Sequence, residues 1–168
     1  LHRLAGVGQA APTLRLGVAR LGVDVTEGNL ALLLDETASS HPDRVALTFE
    51  EWTLSYDELH DASSRLATVL AREGVGPGDR VALSCPNPPW FTVSYFAILK
   101  LGAVVVPLNV MLKASDVAFH LDLVEARILL CGQGVEDREA EVEARRGFED
   151  STAERFIVLT SAMCPTVD

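Results

Sequence analysis

Residues 99–109 read LKLGAVVVPLN, and this stretch decides the fold. The apolar run from Ala103 to Pro107 shows no alternation of polar and apolar residues, which predicts a central strand that is covered on both faces of its sheet. A helix precedes this strand: Asn87 is placed to cap it, and the two prolines that follow fit a first turn, where a missing N–H costs nothing. The stretch therefore predicts a helix that leads into a strand of a parallel sheet.

The same alternation of helix and strand continues along the chain. Apolar residues predict helices at residues 29–40, 55–74, 87–102 and 113–123, and residues 133–146 are interpreted as an acidic-basic surface helix. Short apolar runs predict strands at residues 45–49, 52–54, 81–85, 103–107, 127–131 and 156–160. The side of the first helix that is expected to face the core carries Leu30, Leu33, Leu34 and Thr37. This pattern predicts an α/β protein with a parallel sheet and right-handed crossover helices.

Residues 54–59 read LSYDEL and have a complete structural explanation. Ser55 and Glu58 have the spacing of a capping box, in which the serine hydroxyl and the glutamate carboxylate each accept a backbone N–H. The helix dipole accounts for the acidic side chains at this helix start, Asp57, Glu58 and Asp61, without a metal. The motif therefore predicts a strand end and a helix start, and it needs no chemical role.

Together, residues 54–59 and 99–109 resemble the opening motifs of the adenylate-forming (AMP-binding) superfamily, which includes acyl-CoA synthetases, luciferases and the adenylation domains of peptide synthetases. The resemblance runs from about Asn29 to Cys131, and residues 87–88, 99–109 and 112–117 (LKASDV) together look most like a bacterial fatty-acid–CoA ligase. It implies the first part of the large N-terminal domain of such enzymes. One departure is Val124-Glu125, which stands where many relatives carry a Ser-Gly turn.

The resemblance implies a reaction for a complete family member. The acid attacks the α-phosphate of Mg-ATP to give an acyl-adenylate and pyrophosphate, and the thiolate of CoA then displaces AMP. The family's phosphate loop, magnesium-binding motif, ribose-binding aspartate and C-terminal lysine have no counterpart in these 168 residues. We therefore assign no catalytic, cofactor-binding or metal-binding residue here, and ATP, Mg²⁺, CoA and fatty acid are implied only for a completed enzyme.

Two glycine-containing stretches invite a phosphate-site interpretation. Residues 74–80 (GVGPGDR) leave a helix and enter a strand, the reverse of a phosphate-binding turn, and so predict a helix cap and a turn. Residues 131–134 (CGQG) follow a strand and open a helix, but Glu136 and Asp137 place negative charge where a phosphate would lie. Residues 160–166 echo the family's phosphate loop without its glycines or lysine, which disfavours a phosphate there as well.

Aromatic and histidine side chains give two further candidates. Four aromatic residues gather on one helix, where they could form the wall of an acyl pocket or, as we favour, a face packed on the sheet: Trp90, Phe91, Tyr95 and Phe96. The four histidines lack the spacing of metal ligands, and His60 and His120 are expected at the surface or at its boundary with the core.

Charge and cysteine content limit the function classes. The net charge of -10 disfavours a nucleic-acid surface, which needs clustered cations. Residues 1–25 are interpreted as a loose basic leader and residues 26–168 as the partial adenylate-forming domain; no stretch is apolar enough to span a membrane. The three cysteines are odd in number and widely spaced: Cys85, Cys131 and Cys164. Reduced core thiols in a cytoplasmic protein are expected.

Three functional interpretations remain open from the sequence. The first is an N-terminal fragment or truncated form of a fatty-acid–CoA ligase that is inactive alone. The second is a non-catalytic remnant that acts as a binding or dimerising module, with self-association through a bare apolar sheet edge. The third is an unrelated nucleotide-binding α/β protein that would use the turn at residues 132–134.

Overall fold

A computed structural model describes residues 28–49, 52–85, 89–133 and 138–160. The described helices are α1 (Ala31–Ser40), α2 (Tyr56–Arg72), α3 (Pro89–Lys100), α4 (Ala114–Leu123) and α5 (Arg138–Glu149). The described strands are β1 (Val45–Phe49), β2 (Trp52–Ser55), β3 (Arg80–Ser84), β4 (Val104–Pro107), β5 (Ile128–Gly132) and β6 (Arg155–Leu159). Every predicted helix and strand is present, although the predicted cap at Asn87 lies outside the described residues.

The main sheet is parallel and has the strand order β4-β3-β5-β6. Val81 of β3 is in register with Val105 on one side and with Ile128 on the other. The remaining two strands, β1 and β2, form a separate antiparallel hairpin. Helices connect the parallel strands, so the predicted α/β class with a parallel sheet and crossover helices is confirmed.

The prediction that residues 103–107 form a central strand is wrong. β4 is an edge strand, and β3 and β5 occupy the centre. Val104 is 46% exposed, whereas the apolar residues of β5 are fully buried. An apolar run of this length reports neither how many strands lie beside it nor how fully helices cover its two faces.

Helices cover both faces of the main sheet and produce two hydrophobic cores. On one face, α1, α2 and α3 pack around large buried side chains that include Leu70, Ile98 and Leu83. On the other face, α4 and α5 pack over Leu129, with Val117 and Leu121 of α4 fully buried. Within the described ranges, no helix combines the length and apolar character needed to cross a bilayer.

The capping box of α2 is confirmed. The amide of Glu58 donates to Ser55 Oγ at 3.2 Å, and the amide of Ser55 donates to Glu58 Oε2 at 2.7 Å. Gly74 ends the helix region in the left-handed conformation, with φ at +84°, and the chain enters β3 after the turn that follows. The cap-and-turn interpretation of residues 74–80 is therefore confirmed.

The orientation predicted for α1 is wrong in part. Leu34 is buried as expected, but Leu30 is 46% exposed and Leu33 is 59% exposed. The face turned inward carries Ala31, Leu34, Ala38 and the carboxylate Asp35. The helix is rotated because Asp35 meets a buried cation on α3, which is described below.

Candidate functional site

Parallel α/β sheets bind ligands at the carboxyl ends of their strands. At that edge the described residues that follow β3, β4 and β5 include Cys85, Asn109 and Gln133. The Asn109 Oδ1 atom accepts the backbone amide of Met111 at 2.9 Å, and the backbone amide of Gln133 donates to Leu159 O at 2.9 Å. The first contact closes a turn and the second continues the parallel pairing of β5 with β6, so both groups are used within the protein itself.

Two thiols lie at this edge, and both are inert. Ser84 is in register with Cys131, so Cys85, one residue further along β3, points to the opposite face of the sheet. Cys85 belongs to the core under α2 and α3, and Cys131 to the core under α4 and α5. Burial raises the pKa of each thiol to about 12. The prediction of reduced core thiols is confirmed for these two, and Cys164 lies outside the described residues.

The start of α4 also lies at this edge, because α4 follows β4. A helix N-terminus attracts anions, but here the Ala114 amide already donates to Glu143 Oε2 of α5 at 2.9 Å. The ammonium of Lys113 lies 2.7 Å from Glu139 Oε1, and this contact lowers the pKa of Glu139. Carboxylates of α5 thus occupy the positions that a phosphate would need. At the carboxyl edge, the described residues do not fit the triphosphate of ATP.

The other stretches considered from sequence add no ligand site. Gly132 ends β5 with a buried backbone, whereas Gly134 and residues 161–166 lie outside the described residues. Trp90, Phe91 and Phe96 pack against the core under α3, and the rings of Phe91 and Tyr95 are 6.1 Å apart. This packing confirms the core-face interpretation for Trp90, Phe91 and Phe96, whereas it stays a prediction for Tyr95, as does the acyl-pocket wall.

The histidines and acidic clusters do not form a metal centre in the part of the chain that the structure describes. His120 is half-buried, and its Nδ1 atom lies 2.6 Å from Asp116 O. His60 is 24% exposed and contacts a buried carboxylate. Both histidines therefore lie at the surface or at its boundary with the core, as expected.

A surface cavity of about 430 Å³ lies at the opposite, amino edge of the sheet. Its charged lining is mutually paired: Arg80 Nη2 lies 2.8 Å from Glu125 Oε2, and Arg127 Nε lies 3.0 Å from Glu154 Oε2. The guanidinium of Arg127 also donates to Gly74 O. These contacts tie together the turns before β3, β5 and β6. The paired side chains that line the cavity therefore hold these turns together, and they do so at the edge of the sheet opposite to the one where ligands are expected.

The most unusual polar group is a buried cluster between α1, α2 and α3. Lys100 is 0% exposed, and its Nζ atom donates to Asp35 Oδ1 at 2.5 Å; His60 Nε2 lies 3.0 Å from the same oxygen. Burial opposes the charge on Asp35, but hydrogen bonds from His60 and Lys100 and their charges hold the pKa of Asp35 below its usual value. Burial lowers the pKa of Lys100, and Asp35 opposes that effect.

Sequence reasoning missed this cluster, although two signals were present. Lys100 interrupts an apolar stretch, Ile98–Leu101, where a lone cation requires a partner. Asp35 lies among apolar residues at positions that share a helix face with Ala31 and Ala38. Two opposite charges in apolar surroundings indicate a buried pair.

Comparison with known proteins gives a consistent result. A family model described as AMP-binding enzyme matches residues 34–165. A medium/long-chain-fatty-acid–CoA ligase of Mycobacterium tuberculosis is 31% identical over 122 residues, which cover 73% of this chain and 20% of the relative. A dimodular nonribosomal peptide synthase of Bacillus subtilis is 39% identical over 87 residues, 52% of this chain and 4% of the relative.

Solved structures show the same similarity. A fatty acyl CoA synthetase of Mycobacterium tuberculosis aligns with a TM-score of 0.69 and 27% identity, over 81% of this chain and 27% of that one. The chain thus spans about a fifth of the ligase and a quarter of the solved structure.

Proposed function

The chain belongs to the AMP-binding enzyme family, and we propose that it is the N-terminal part of a bacterial, cytoplasmic fatty-acid–CoA ligase. The observation that carries this proposal is the structural match to a fatty acyl CoA synthetase over 81% of the chain. The name of the mycobacterial relative, a medium/long-chain-fatty-acid–CoA ligase, supports the same substrate class. Family membership also means that the third interpretation from sequence, an unrelated nucleotide-binding protein, is wrong.

In this proposal the chain supplies framework and is inactive alone. Within the described ranges, the carboxyl edge of the sheet carries a turn at Asn109, buried thiols of low reactivity, and a helix-start amide that already donates to a carboxylate of α5. Binding of ATP, Mg²⁺, fatty acid and CoA would then require residues outside this part of the protein. The buried thiols, which persist in reducing surroundings, support a cytoplasmic location.

Two measurements test the proposal. An antibody to residues 138–160 would report the mass of the endogenous protein, and a species several-fold larger than 18.1 kDa is expected. That species should catalyse fatty-acid-dependent exchange of pyrophosphate into ATP, whereas the 168-residue chain should not. Exchange that depends on an amino acid instead would assign the chain to a peptide synthetase. Exchange by the 168-residue chain alone would overturn the framework role.

One observation favours the binding or dimerising module as a second candidate. β4 is an edge strand without a charged side chain, and Val104 on it is 46% exposed. Such edges pair readily with other strands. Sedimentation velocity should then show a concentration-dependent dimer that Val104→Lys removes and that Met111→Lys, at an exposed position outside the strand, leaves unchanged. An endogenous species of 18.1 kDa would contradict the ligase proposal, and a monomeric state at all concentrations would exclude the dimerising role.

A further inference from the structure

The helix α1 is attached to the rest of the protein by little apolar surface. Its buried apolar side chains are two alanines and one leucine: Ala31, Ala38 and Leu34. Two larger side chains of the same segment, Leu30 and Leu33, are about half exposed or more. Apolar burial therefore contributes less to the docking of α1 than to that of α2, which buries three leucines along one face.

Polar contacts supply the rest of the attachment, and they converge on the end of α3. Before α1, Asn29 Nδ2 donates to Leu99 O at 2.6 Å. In the middle of α1, Asp35 Oδ1 accepts from Lys100 Nζ at 2.5 Å and lies 3.0 Å from His60 Nε2. Asp35 and Lys100 are almost fully buried, whereas His60 is partly exposed to solvent.

The burial of Lys100 depends on this carboxylate. An ammonium group in the interior is strongly disfavoured unless a counter-ion or water reaches it. Asp35 is the acidic partner that the structure gives Lys100, and it reaches Lys100 from α1. Loss of the carboxylate would leave the ammonium uncompensated, and displacement of α1, the helix that carries Asp35, would admit water to it.

We infer that α1 is a latch: it opens as a unit, separately from the main sheet, and its closure depends on the contact between Asp35 and Lys100. Opening of the latch exposes Lys100 and the surfaces of α2 and α3 that α1 covers. The inference concerns this chain's own residues and does not rest on the proposed ligase activity. In this inference Lys100, the lysine of the LKLGAVVVPLN stretch, holds α1 in position and does not contact a substrate directly.

The lysine content of the chain provides a direct assay. The sequence has two lysines, Lys100 and Lys113, and the Lys113 side chain is 61% exposed. Acetylation by an N-hydroxysuccinimide ester, followed by peptide mass spectrometry, would report both amines in one sample, with Lys113 as the internal reference. In Asp35→Asn, the Lys100 rate relative to Lys113 should rise at least about a hundredfold, as expected when a buried pair loses one member.

A matched control separates a local opening from a general loss of stability. Asp61→Asn removes an exposed carboxylate that pairs with Arg65 on α2, and it should leave the Lys100 rate unchanged. Amide hydrogen exchange in β5 reports global unfolding, because this strand is fully buried. The latch is supported if Lys100 reacts faster in Asp35→Asn while β5 stays protected. It is overturned if Lys100 stays protected, or if Lys100 and β5 open together.

A second measurement decides the question if Asp35→Asn does not fold. Native-state hydrogen exchange of the unchanged protein, at increasing denaturant, measures the opening free energy of each helix. Amides of α1 should exchange through an opening that leaves α2 and β5 closed. A single opening shared by α1, α2 and β5 would overturn the inference.

Discussion

Gly147 of α5 and Val117 of α4 approach each other so closely that a Cβ atom on Gly147 would lie 2.5 Å from Val117 Cβ. The same atom would lie 2.6 Å from the backbone oxygen of Ala114. Glycine at this position therefore allows the two helices to pack side by side over the sheet. The carboxylate that caps α4 belongs to Glu143 of α5. The close approach of the two helices therefore also places this negative charge at the carboxyl edge of the sheet.

The first prediction concerns this contact. Gly147→Ala should lower the free energy of unfolding by about 1–2 kcal/mol, because overpacking outweighs the roughly 1 kcal/mol gained from better helix propensity. Urea unfolding followed by circular dichroism would measure the change. Adding Val117→Ala to Gly147→Ala should relieve part of the overpacking between α4 and α5, so the second substitution should cost less free energy of unfolding in the Gly147→Ala background than in the unchanged protein. An effect of helix propensity alone would not produce this coupling. A stabilising Gly147→Ala would contradict the close approach.

The second prediction concerns the turn at Val124-Glu125, which departs from the family pattern. Glu125 has φ at +50°, a left-handed conformation that glycine adopts at lower cost. Glu125→Gly should therefore raise the free energy of unfolding by about 0.5–1 kcal/mol, even though it removes an exposed contact with Arg80. Glu125→Gln keeps the strained backbone and should leave stability nearly unchanged. If the glutamine variant gains as much as the glycine variant, charge rather than backbone conformation is responsible.

The third prediction is a loss of stability in acid. The pKa of Asp35 is lower in the folded protein than in the unfolded chain, where it is about 3.9. As the pH falls below about 4, the unfolded chain takes up this proton first, so the stability that Asp35 contributes is lost as the pH passes through its folded pKa. The gap in unfolding free energy between the unchanged protein and Asp35→Asn should narrow across this window. For the exposed Asp61→Asn, the difference in unfolding free energy from the unchanged protein should stay small at every pH. A difference for Asp35→Asn that does not change with pH would contradict the attribution of this acid sensitivity to Asp35.

The fourth prediction concerns the buried thiols. Because the pKa of Cys85 and of Cys131 is raised to about 12, few thiolates form at pH 8 in the folded protein. Iodoacetamide should modify both residues only after denaturation, as read by peptide mass spectrometry. Diamide should not join them, since they lie on opposite faces of the sheet. Rapid alkylation of either thiol in native protein would show that the carboxyl edge is open to reagents.

Local signals predicted the elements of this fold, and tertiary contacts decided their placement. The capping box and apolar stripe of α2 lie within one segment, so they could be read directly. The edge position of β4 depends on the order of four strands, which no single apolar run encodes. The inward face of α1 carries Asp35, whose partner Lys100 lies far along the chain, whereas the sequence pattern weighted the leucines at positions 30, 33 and 34 over this one aspartate.

The candidate site was less accessible to sequence reasoning than the fold. Glycine spacing correctly predicted the cap at Gly74, because φ above zero at a helix end is a local property. The carboxylate of Glu143 at the start of α4 could not be predicted, since it comes from a neighbouring helix. When the charge that fills a potential anion site belongs to a different helix or strand, it can be identified only from the packing of the two elements.

The strand order has a consequence for synthesis of the protein on the ribosome. β3 is made before β4 and β5, and it lies between them in the finished sheet. At usual elongation rates its apolar side chains and unpaired backbone emerge on the order of seconds before either neighbour can pair with it. The amphipathic helix α2, which is made earlier, can cover one face of β3 during that interval. The order of synthesis therefore makes α2 available to shield one face of β3 until the neighbouring strands are made.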